Sequence, residues 1–384
     1  MRPKLIVGNI LTRTEGLSHE TEQTLRQALS FTIPGAEFSR IYQDGIWDGQ
    51  RHLYSLKQHS FPTGLISWAL KHAGNVEIED CREQVPQTFT PHSVRGITLR
   101  PYQRWSVGEA VRTERGVIRI ATGGGKTVVA AEIIARLGVK TLVTVHLTPL
   151  LYQIREELER LLNPNGSRVG VIGDGTFEPG EVTVAMSQTL HARRESPEVK
   201  NFLRTIGCWI GDEAHHTGGD ALYALSLQIP ARYRFGMSAT PWRTDGRDLL
   251  IHAATGRRIV NISASALIQA GFLAKPQVVF HTVPPVEVGV LPYASAYKRA
   301  IAQNADRNKL ISRIAAGCIL KGKHVLIAVT QVNHGKAILT EMQKNETLAR
   351  GSIVFIRGEN ESEEKTRALK DLNEHRLDCV IATT

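Results

Sequence analysis

Residues 117–127 read VIRIATGGGKT, an apolar stretch followed by three glycines, a lysine and a threonine. The apolar residues predict a β-strand, and the amphipathic stretch from Lys126 to Leu137 predicts a helix directly after the glycines. Three glycines allow a tight turn whose N–H groups converge, and the N-terminus of the following helix favours an anion. The stretch is therefore predicted to be a phosphate-binding loop between a strand and a helix.

The residues of this predicted loop have distinct expected roles. Its backbone would surround the phosphates, and its members are Ala121, Thr122, Gly123, Gly124 and Gly125. Lys126 is expected to reach the β and γ phosphates of a nucleotide, and the Thr127 hydroxyl is expected to bind Mg²⁺. The alternative is a glycine-rich surface turn beside a lysine, which the strand and helix on either side disfavour.

A second motif supplies carboxylates. Residues 210–215 read IGDEAH, so that an apolar strand ends in two acidic residues. If both strands belong to one parallel sheet, Asp212 lies at its carboxyl edge, where ligands bind in open α/β folds. Asp212 is expected to hold Mg²⁺ through water, and Glu213 is the candidate general base for the attacking water. A pair of acidic residues that simply opens a solvated loop is the alternative.

Short β-branched runs alternate with longer amphipathic stretches over most of the chain, which predicts α/β folding with mostly parallel strands. We expect a doubly wound domain at residues 91–265, an incomplete second α/β domain at 266–384, and a small α+β module at 1–90. A hairpin is predicted at Gly45–Leu56. Predicted strands of the larger domain lie at 117–121, 141–145, 169–172, 182–186, 208–211 and 234–237, with helices at 126–137 and 150–162. Those of the second domain lie at 324–329, 352–356 and 379–382, with helices at 307–320, 334–343 and 361–373.

Composition and charge limit the classes of protein to which this chain can belong. The formal net charge is +10, from 47 Lys and Arg against 37 Asp and Glu, which favours a polyanionic partner such as nucleic acid. No apolar stretch is long enough to cross a bilayer, and the first residues lack a signal-peptide core, so we expect an intracellular, cytoplasmic protein without membrane contact. The four cysteines have no ligand spacing, which argues against a zinc site.

Several motifs in this order resemble those of superfamily 2 helicases, with ATGGGKT similar to motif I, DEAH at Asp212–His215 to motif II and SAT at Ser238–Thr240 to motif III. Ile120 stands where the general phosphate-loop pattern has glycine, as in the shorter helicase form of the loop. Residues 99–103 (LRPYQ) resemble the adenine-reading motif of the XPB and UvsW groups. The resemblance implies two RecA-like domains that hold ATP and Mg²⁺ between them.

The resemblance also assigns roles to residues outside the loop. It makes Gln103 the adenine reader, with Arg100 and Tyr102 beside it, whereas the residues alone allow a helix-capping glutamine. An amide can pair with the donor and the acceptor on adenine, so ATP is expected over GTP. His215, Ser238 and Thr240 are implied to couple hydrolysis to movement on nucleic acid; an ordinary turn before Pro241 is the alternative.

Residues 47–49 (WDG) and 61–65 (FPTGL) make the first module similar to the DNA-binding N-terminal domain of UvsW-type branch-migration helicases. The implied function is an ATP-dependent DNA helicase or translocase on branched or duplex DNA. Open alternatives are a restriction-system motor, an RNA helicase, and an ATP-gated nucleic-acid-binding fragment. Motif VI, with its arginines, has no counterpart before Thr384. We therefore expect weak hydrolysis unless a partner chain supplies the arginine.

Overall fold

The computed structural model describes most of the chain and separates it into two compact units, Met1–Lys275 and Pro276–Thr384. The residues described are 2–162, 169–212, 220–239, 248–345, 348, 352–358 and 362–383. None of the helices in these ranges combines the length and the apolar character that crossing a bilayer requires. Each unit is described separately below.

The N-terminal part of the first unit is a small α+β module. Its elements are β1 Lys4–Val7, β2 Leu11–Glu15, α1 His19–Ala28, β3 Ser30–Thr32, α2 Arg40–Gln43, β4 Gln50–His52, β5 Ser60–Pro62, α3 Ile66–Ala69 and β6 Glu77–Asp80, with 3-10 turns at Ala36–Phe38 and Thr63–Leu65. One sheet has the order β5-β2-β1-β6, in which β1 and β6 are parallel and the other pairs antiparallel. The strands β3 and β4 form a separate antiparallel pair.

The predicted hairpin at Gly45–Leu56 is wrong. The strand β4 pairs with β3, which precedes this segment. The reason is a local turn: the Trp47 indole N–H donates to the Gln50 carbonyl at 2.9 Å, and Asp48 Oδ1 accepts the Gln50 N–H at 3.0 Å. These bonds close residues 47–50 into a local turn, so the chain becomes extended only from Gln50 onward and pairs with a strand that precedes the segment.

The rest of the first unit is a doubly wound α/β domain. Its elements are α4 Pro101–Thr113, β7 Arg115–Ile120, α5 Lys126–Leu137, β8 Thr141–Val145, α6 Thr148–Leu162, β9 Gly170–Gly173, β10 Thr176–Glu178, β11 Val182–Met186, α7 Ser187–Ala192, α8 Pro197–Arg204, β12 Cys208–Asp212, α9 Asp220–Ser226, β13 Tyr233–Ser238, α10 Asp248–Thr255, β14 Arg258–Ile262 and α11 Ala264–Gln269. The sheet order is β10-β9-β11-β8-β12-β13-β7-β14, and all pairs are parallel except β10 with β9.

Apolar side chains cover both faces of this sheet. On one face, Ile133 and Ile134 of α5 pack with Leu158 of α6 and with the strands β7 and β8. On the other face, Trp209 of β12 packs with Leu203 of α8 and Leu225 of α9. Burial on both faces explains why these strands read as continuous apolar runs in the sequence. The doubly wound fold and its parallel strands are thus confirmed.

The second unit contains a small parallel sheet with helices on both faces. Its elements are α12 Tyr293–Tyr297, a π-helical turn Lys298–Ala302, α13 Ala305–Ile319, β15 Val325–Val329, α14 Val332–Gln343, β16 Ile353–Ile356, α15 Ser362–Asn373 and β17 Cys379–Thr383. The described strands have the order β15-β17-β16. Ala315 of α13 and Ile338 of α14 pack with Ile381, while Ala368 of α15 packs with Val380 on the opposite face.

The module and the α/β domain share one hydrophobic core. Leu5, Leu25 and Leu65 of the module pack with Leu250 and Ala253 of α10. The FPTGL stretch lies in this contact, and its residues 61–65 are buried. The stretch therefore seats the module on the α/β domain.

Gly64 makes the closest approach in this contact. A Cβ atom added there would lie 2.1 Å from the carbonyl oxygen of His252 and 2.6 Å from that of Ala253. We expect Gly64→Ala to lower the free energy of unfolding of the first unit by about 1–3 kcal/mol, because a backbone contact of this kind cannot relax through a side chain. Urea unfolding followed by tryptophan fluorescence measures the change.

Gly108→Ala is the matched control for this substitution. Gly108 is an exposed residue of α4, and an added Cβ would meet no atom within 4 Å. Alanine is the better helix former by about 0.5–1 kcal/mol, so this variant should be more stable than the parent. Equal stability of the Gly64→Ala variant and the parent would contradict the close packing of the module.

Candidate nucleotide-binding site

Three neighbouring strands of the large sheet end at the same edge, and each carries a predicted site residue at or directly beyond its end. The strand β7 ends at Ile120 before the glycine loop, β12 ends at Asp212, and β13, which lies between them, ends at Ser238. In the register of the sheet, Asp212 is level with Met237, and Met237 is level with Ile118. Two strand spacings, or about 10 Å, therefore separate the Asp212 strand from the strand that leads into the loop.

The glycine loop has a backbone conformation and a packing that other residues would not allow. Gly123 and Gly125 have φ near +77°, in the left-handed region that favours glycine. Gly124 donates its N–H to the Ala121 carbonyl at 2.9 Å, and a Cβ on Gly124 would lie 2.5 Å from the side chain of Ile120. The glycines therefore set both the turn and its close packing on the end of β7.

The helix α5 begins at Lys126, directly after the loop. Its N-cap is Gly125, and no side chain caps this end through a hydrogen bond. The first N–H groups of a helix have no partner within the helix, and the helix dipole is positive at this end. The start of α5 therefore has the properties of an anion-binding site, with Lys126 and Thr127 in its first turn.

The start of α4 supports the loop from the other side. The Tyr102 hydroxyl donates to the Gly124 carbonyl at 2.8 Å, and the Gln103 amide donates to the same oxygen at 3.2 Å. The guanidinium of Arg100 donates to the Tyr102 hydroxyl at 3.2 Å and lies 4.8 Å over the ring of Phe272. The three predicted neighbours of the loop, residues 100, 102 and 103, thus lie together beside it.

Gln103 has a second bond that bears on its predicted role. Its Oε1 accepts the N–H of Arg100 at 2.9 Å, so it caps the N-terminus of α4, and the residue is 5% exposed. The amide keeps one N–H and one lone pair beyond these two bonds. The structure thus shows the capping glutamine that the sequence left open, and its role as an adenine reader stays a prediction.

The remaining predicted residues fall into two groups. Ser238 is fully buried at the end of β13, and Asp212 is half-buried. Glu213, His215 and Thr240 lie outside the described residues.

In the part of the chain that the structure describes, no three His, Cys, Asp or Glu side chains cluster as a metal site. A Mg²⁺ ion bound with a nucleotide needs only one or two protein oxygens, and the Thr127 hydroxyl and the Asp212 carboxylate are of this hard type.

Three contacts of the site were missed by sequence reasoning. Phe272 packs against Tyr102 at a ring distance of 5.4 Å, and the side chains of Leu267 and Leu273 limit the space around Gly124 and Gly123. All three come from residues 267–276 (LIQAGFLAKP), a stretch more than 140 positions from the loop in the chain. The contact of this stretch with the loop depends on the tertiary fold.

Comparison with known proteins gives matches to the α/β domain. Residues 96–243 match the family model of the type III restriction enzyme, res subunit. The chain is 34% identical over 188 residues to a putative DNA 3'-5' helicase Rad25 of Halobacterium salinarum, a match that covers 49% of this chain and 31% of that protein. It is 31% identical over 171 residues to the DNA 3'-5' translocase XPB2 of Sulfurisphaera tokodaii, covering 44% and 37%. The matched segment thus spans about a third of the length of each of these relatives.

Solved structures extend the similarity of fold. UvsW of bacteriophage T4 superposes with a TM-score of 0.56 at 19% identity, covering 100% of this chain and 80% of that one. Dbp5 of S. cerevisiae, solved with RNA and ADP BeF3, gives a TM-score of 0.51 at 14% identity and covers 74% and 69%. At these sequence identities, both similarities are similarities of fold. Residues 96–243 thus match the family model of the restriction-enzyme res subunit, and the chain is similar in sequence to XPB and Rad25 helicases and in fold to UvsW.

Proposed function

We propose that this chain binds and hydrolyses ATP and uses the energy to move along DNA as a helicase or translocase. The observation that carries the proposal is the shared sheet edge: the glycine loop, Asp212 and Ser238 follow three adjacent parallel strands. A nucleotide at the start of α5 would therefore have a carboxylate within two strand spacings. The similarity to DNA helicases and translocases supports the activity.

The triphosphate would lie on the loop and the first turn of α5. Backbone N–H groups of residues 122, 123 and 125 and the helix dipole stabilise phosphate oxygens, and the Lys126 ammonium contacts the β and γ phosphates. The bonds from Tyr102 and Gln103 hold the Gly124 carbonyl on the side of α4. This support keeps the loop in a binding conformation before the nucleotide arrives, which reduces the entropy lost on binding.

Thr127 and Asp212 would hold Mg²⁺, which neutralises charge on the phosphates when it is bound. Glu213, the next residue after β12, is the proposed general base that orients and deprotonates the attacking water. Gln103, with Arg100 and Tyr102, is the proposed adenine site, since its amide retains one donor and one acceptor.

DNA is the proposed polymer, with branched or duplex DNA as the structure acted on. The net charge of +10 favours a polyanion, and contacts to phosphates make binding sensitive to salt and largely independent of sequence. His215, Ser238 and Thr240 are proposed to link the nucleotide site to the DNA. The buried position of Ser238 at the end of β13 suits this role, because β13 adjoins both β7 and β12.

The support of the loop by α4 can be tested by removing one hydroxyl. Tyr102→Phe deletes the bond to the Gly124 carbonyl and keeps the ring against Phe272. A neutral hydrogen bond contributes about 0.5–1.5 kcal/mol, so we expect ATP to bind about 2- to 10-fold more weakly in a calorimetric titration.

Tyr152→Phe is the matched control, because its hydroxyl bonds to Asp174 at 2.8 Å, a contact that involves no residue of the loop or of α4. This variant should bind ATP like the parent chain. An unchanged Kd for Tyr102→Phe would show that the bond to Gly124 does not organise the site.

The proposed hydrolysis and its dependence on DNA can be tested together. We expect ATPase activity that rises with forked or duplex DNA more than with single-stranded RNA. Lys126→Ala should lower this rate by about 10²-fold, the usual cost of one charge-stabilising group. Glu213→Gln should lower the rate by about 10²–10⁴-fold and leave ATP binding intact.

Lys200→Ala, on α8 and paired with Glu195, is the matched lysine control and should keep the parent rate. Greater stimulation by RNA would contradict the choice of DNA. If the parent chain did not hydrolyse ATP, and Glu213→Gln kept the full effect of ATP on nucleic-acid binding, the chain would be an ATP-gated nucleic-acid-binding protein and not a motor.

A further inference from the structure

A cavity of about 300 Å³ lies between the N-terminal module and the α/β domain. Its apolar wall comes from Ile66 and Ile78 of the module and from Ile259 of β14. The start of β7 also lines it, through Arg115. It therefore opens at the amino edge of the large sheet, the edge opposite to the glycine loop and Asp212, and it is separate from the proposed ATP site.

The carboxylates around this cavity are already engaged by other arginines. Arg82 donates to both oxygens of Asp80, at 2.9 and 2.7 Å, and pairs with Glu114 at 2.7 Å. Arg232 pairs with the other oxygen of Glu114 at 2.9 Å. Arg82 and Arg232 thus neutralise the carboxylates of Asp80 and Glu114. Little negative charge remains there to pair with other arginines.

Two more arginines line the same cavity. Arg115 donates from Nη2 to the Asn9 carbonyl at 2.7 Å, and its buried Nε has no hydrogen-bond partner within the described residues. Arg257 is exposed and, over the same part of the chain, has no ion pair within 4 Å. The lining therefore carries three arginines, at 82, 115 and 257, against the single carboxylate of Asp80.

A buried guanidinium without a counter-charge is costly, because water no longer solvates it and the group cannot lose its proton easily. Burial, with the nearby charges of Arg234 and Arg82, lowers the pKa of Arg115 well below its usual value. An anion in the cavity would remove this cost by pairing with the guanidinium and accepting the N–H of Nε.

We propose that this cavity binds a phosphate-bearing ligand about the size of one nucleotide, held by Arg115 and Arg257. The planar guanidinium presents paired N–H donors that match phosphate oxygens. The isoleucine wall would contact the apolar part of the ligand, and the volume reaches the lower end of the range of small-ligand sites. The phosphate could belong to a free nucleotide or to the backbone of a DNA strand that reaches this edge of the sheet.

The test uses the full chain with Lys126→Ala, which weakens phosphate binding at the glycine loop. Inorganic phosphate, thymidine monophosphate and a short DNA duplex are titrated separately by calorimetry. We expect Arg257→Gln to weaken binding of at least one of these probes about tenfold, the usual effect of one charged hydrogen bond. Arg257 is exposed, so this variant should fold normally.

Arg115→Gln should weaken the same probe at least as much, and Arg160→Gln is the matched control. Arg160 is an exposed residue of α6 that pairs with Glu157, away from the cavity, and its loss should leave the affinity unchanged. A response confined to the duplex would assign the site to a DNA phosphate, and a response to thymidine monophosphate or phosphate would assign it to a free ligand. Unchanged affinity for all three probes in both variants would overturn the proposal, even if Arg115→Gln lowered the Tm.

Discussion

The nucleotide site depends on how tightly the glycine loop is packed between the end of β7 and the start of α4. The Gly124 carbonyl accepts two hydrogen bonds from α4, from Tyr102 and Gln103. A Cβ at Gly124 would lie 2.5 Å from the side chain of Ile120 at the end of β7, and a Cβ at Gly125 would lie 2.5 Å from the Gln103 amide of α4. Because neither neighbour leaves room for a side chain, only glycines keep the loop at the distance from which its amides can reach phosphates.

This packing also gives one residue, Gln103, two structural roles. The amide of Gln103 caps α4 through Arg100 and holds the loop through Gly124. A helix start that is fixed to the phosphate loop is well placed to sense whether the loop is filled. A nucleotide base that hydrogen-bonded to the remaining donor and acceptor of Gln103 would then contact a side chain whose position the protein already fixes.

Much of the fold could be predicted from the sequence, because its strongest signals are local. The predicted strands and helices of both α/β parts have ends within two residues of those observed, as the strand at Thr141–Val145 shows. Strands buried on both faces read as apolar runs that glycines and polar residues interrupt. The positions of Asp212 and the glycine loop at one edge follow from parallel pairing, which those runs also indicate.

What could not be predicted depends on contacts between distant parts of the chain. The side chains of residues 47 and 48 close a local turn where a turn at Asp48 and Gly49 between strand-like flanks predicted a hairpin, and β4 pairs with β3. The contact of Phe272 with Tyr102 joins positions 170 residues apart in the sequence. No periodic pattern carries information on such pairs.

The contact between the N-terminal module and the α/β domain links these observations. The shared core of Leu65 with Leu250 is apolar and closely packed, and Gly64 lies against the backbone of α10. The module is therefore held in a fixed position on the domain, unlike a module attached by a flexible linker. A fixed contact can contain a cavity lined by a charged side chain such as Arg115. The packing energy of the surrounding core offsets the desolvation cost of the guanidinium, which a looser interface would not do. The same rigidity places any ligand bound there at a constant distance from the sheet edge that carries the glycine loop.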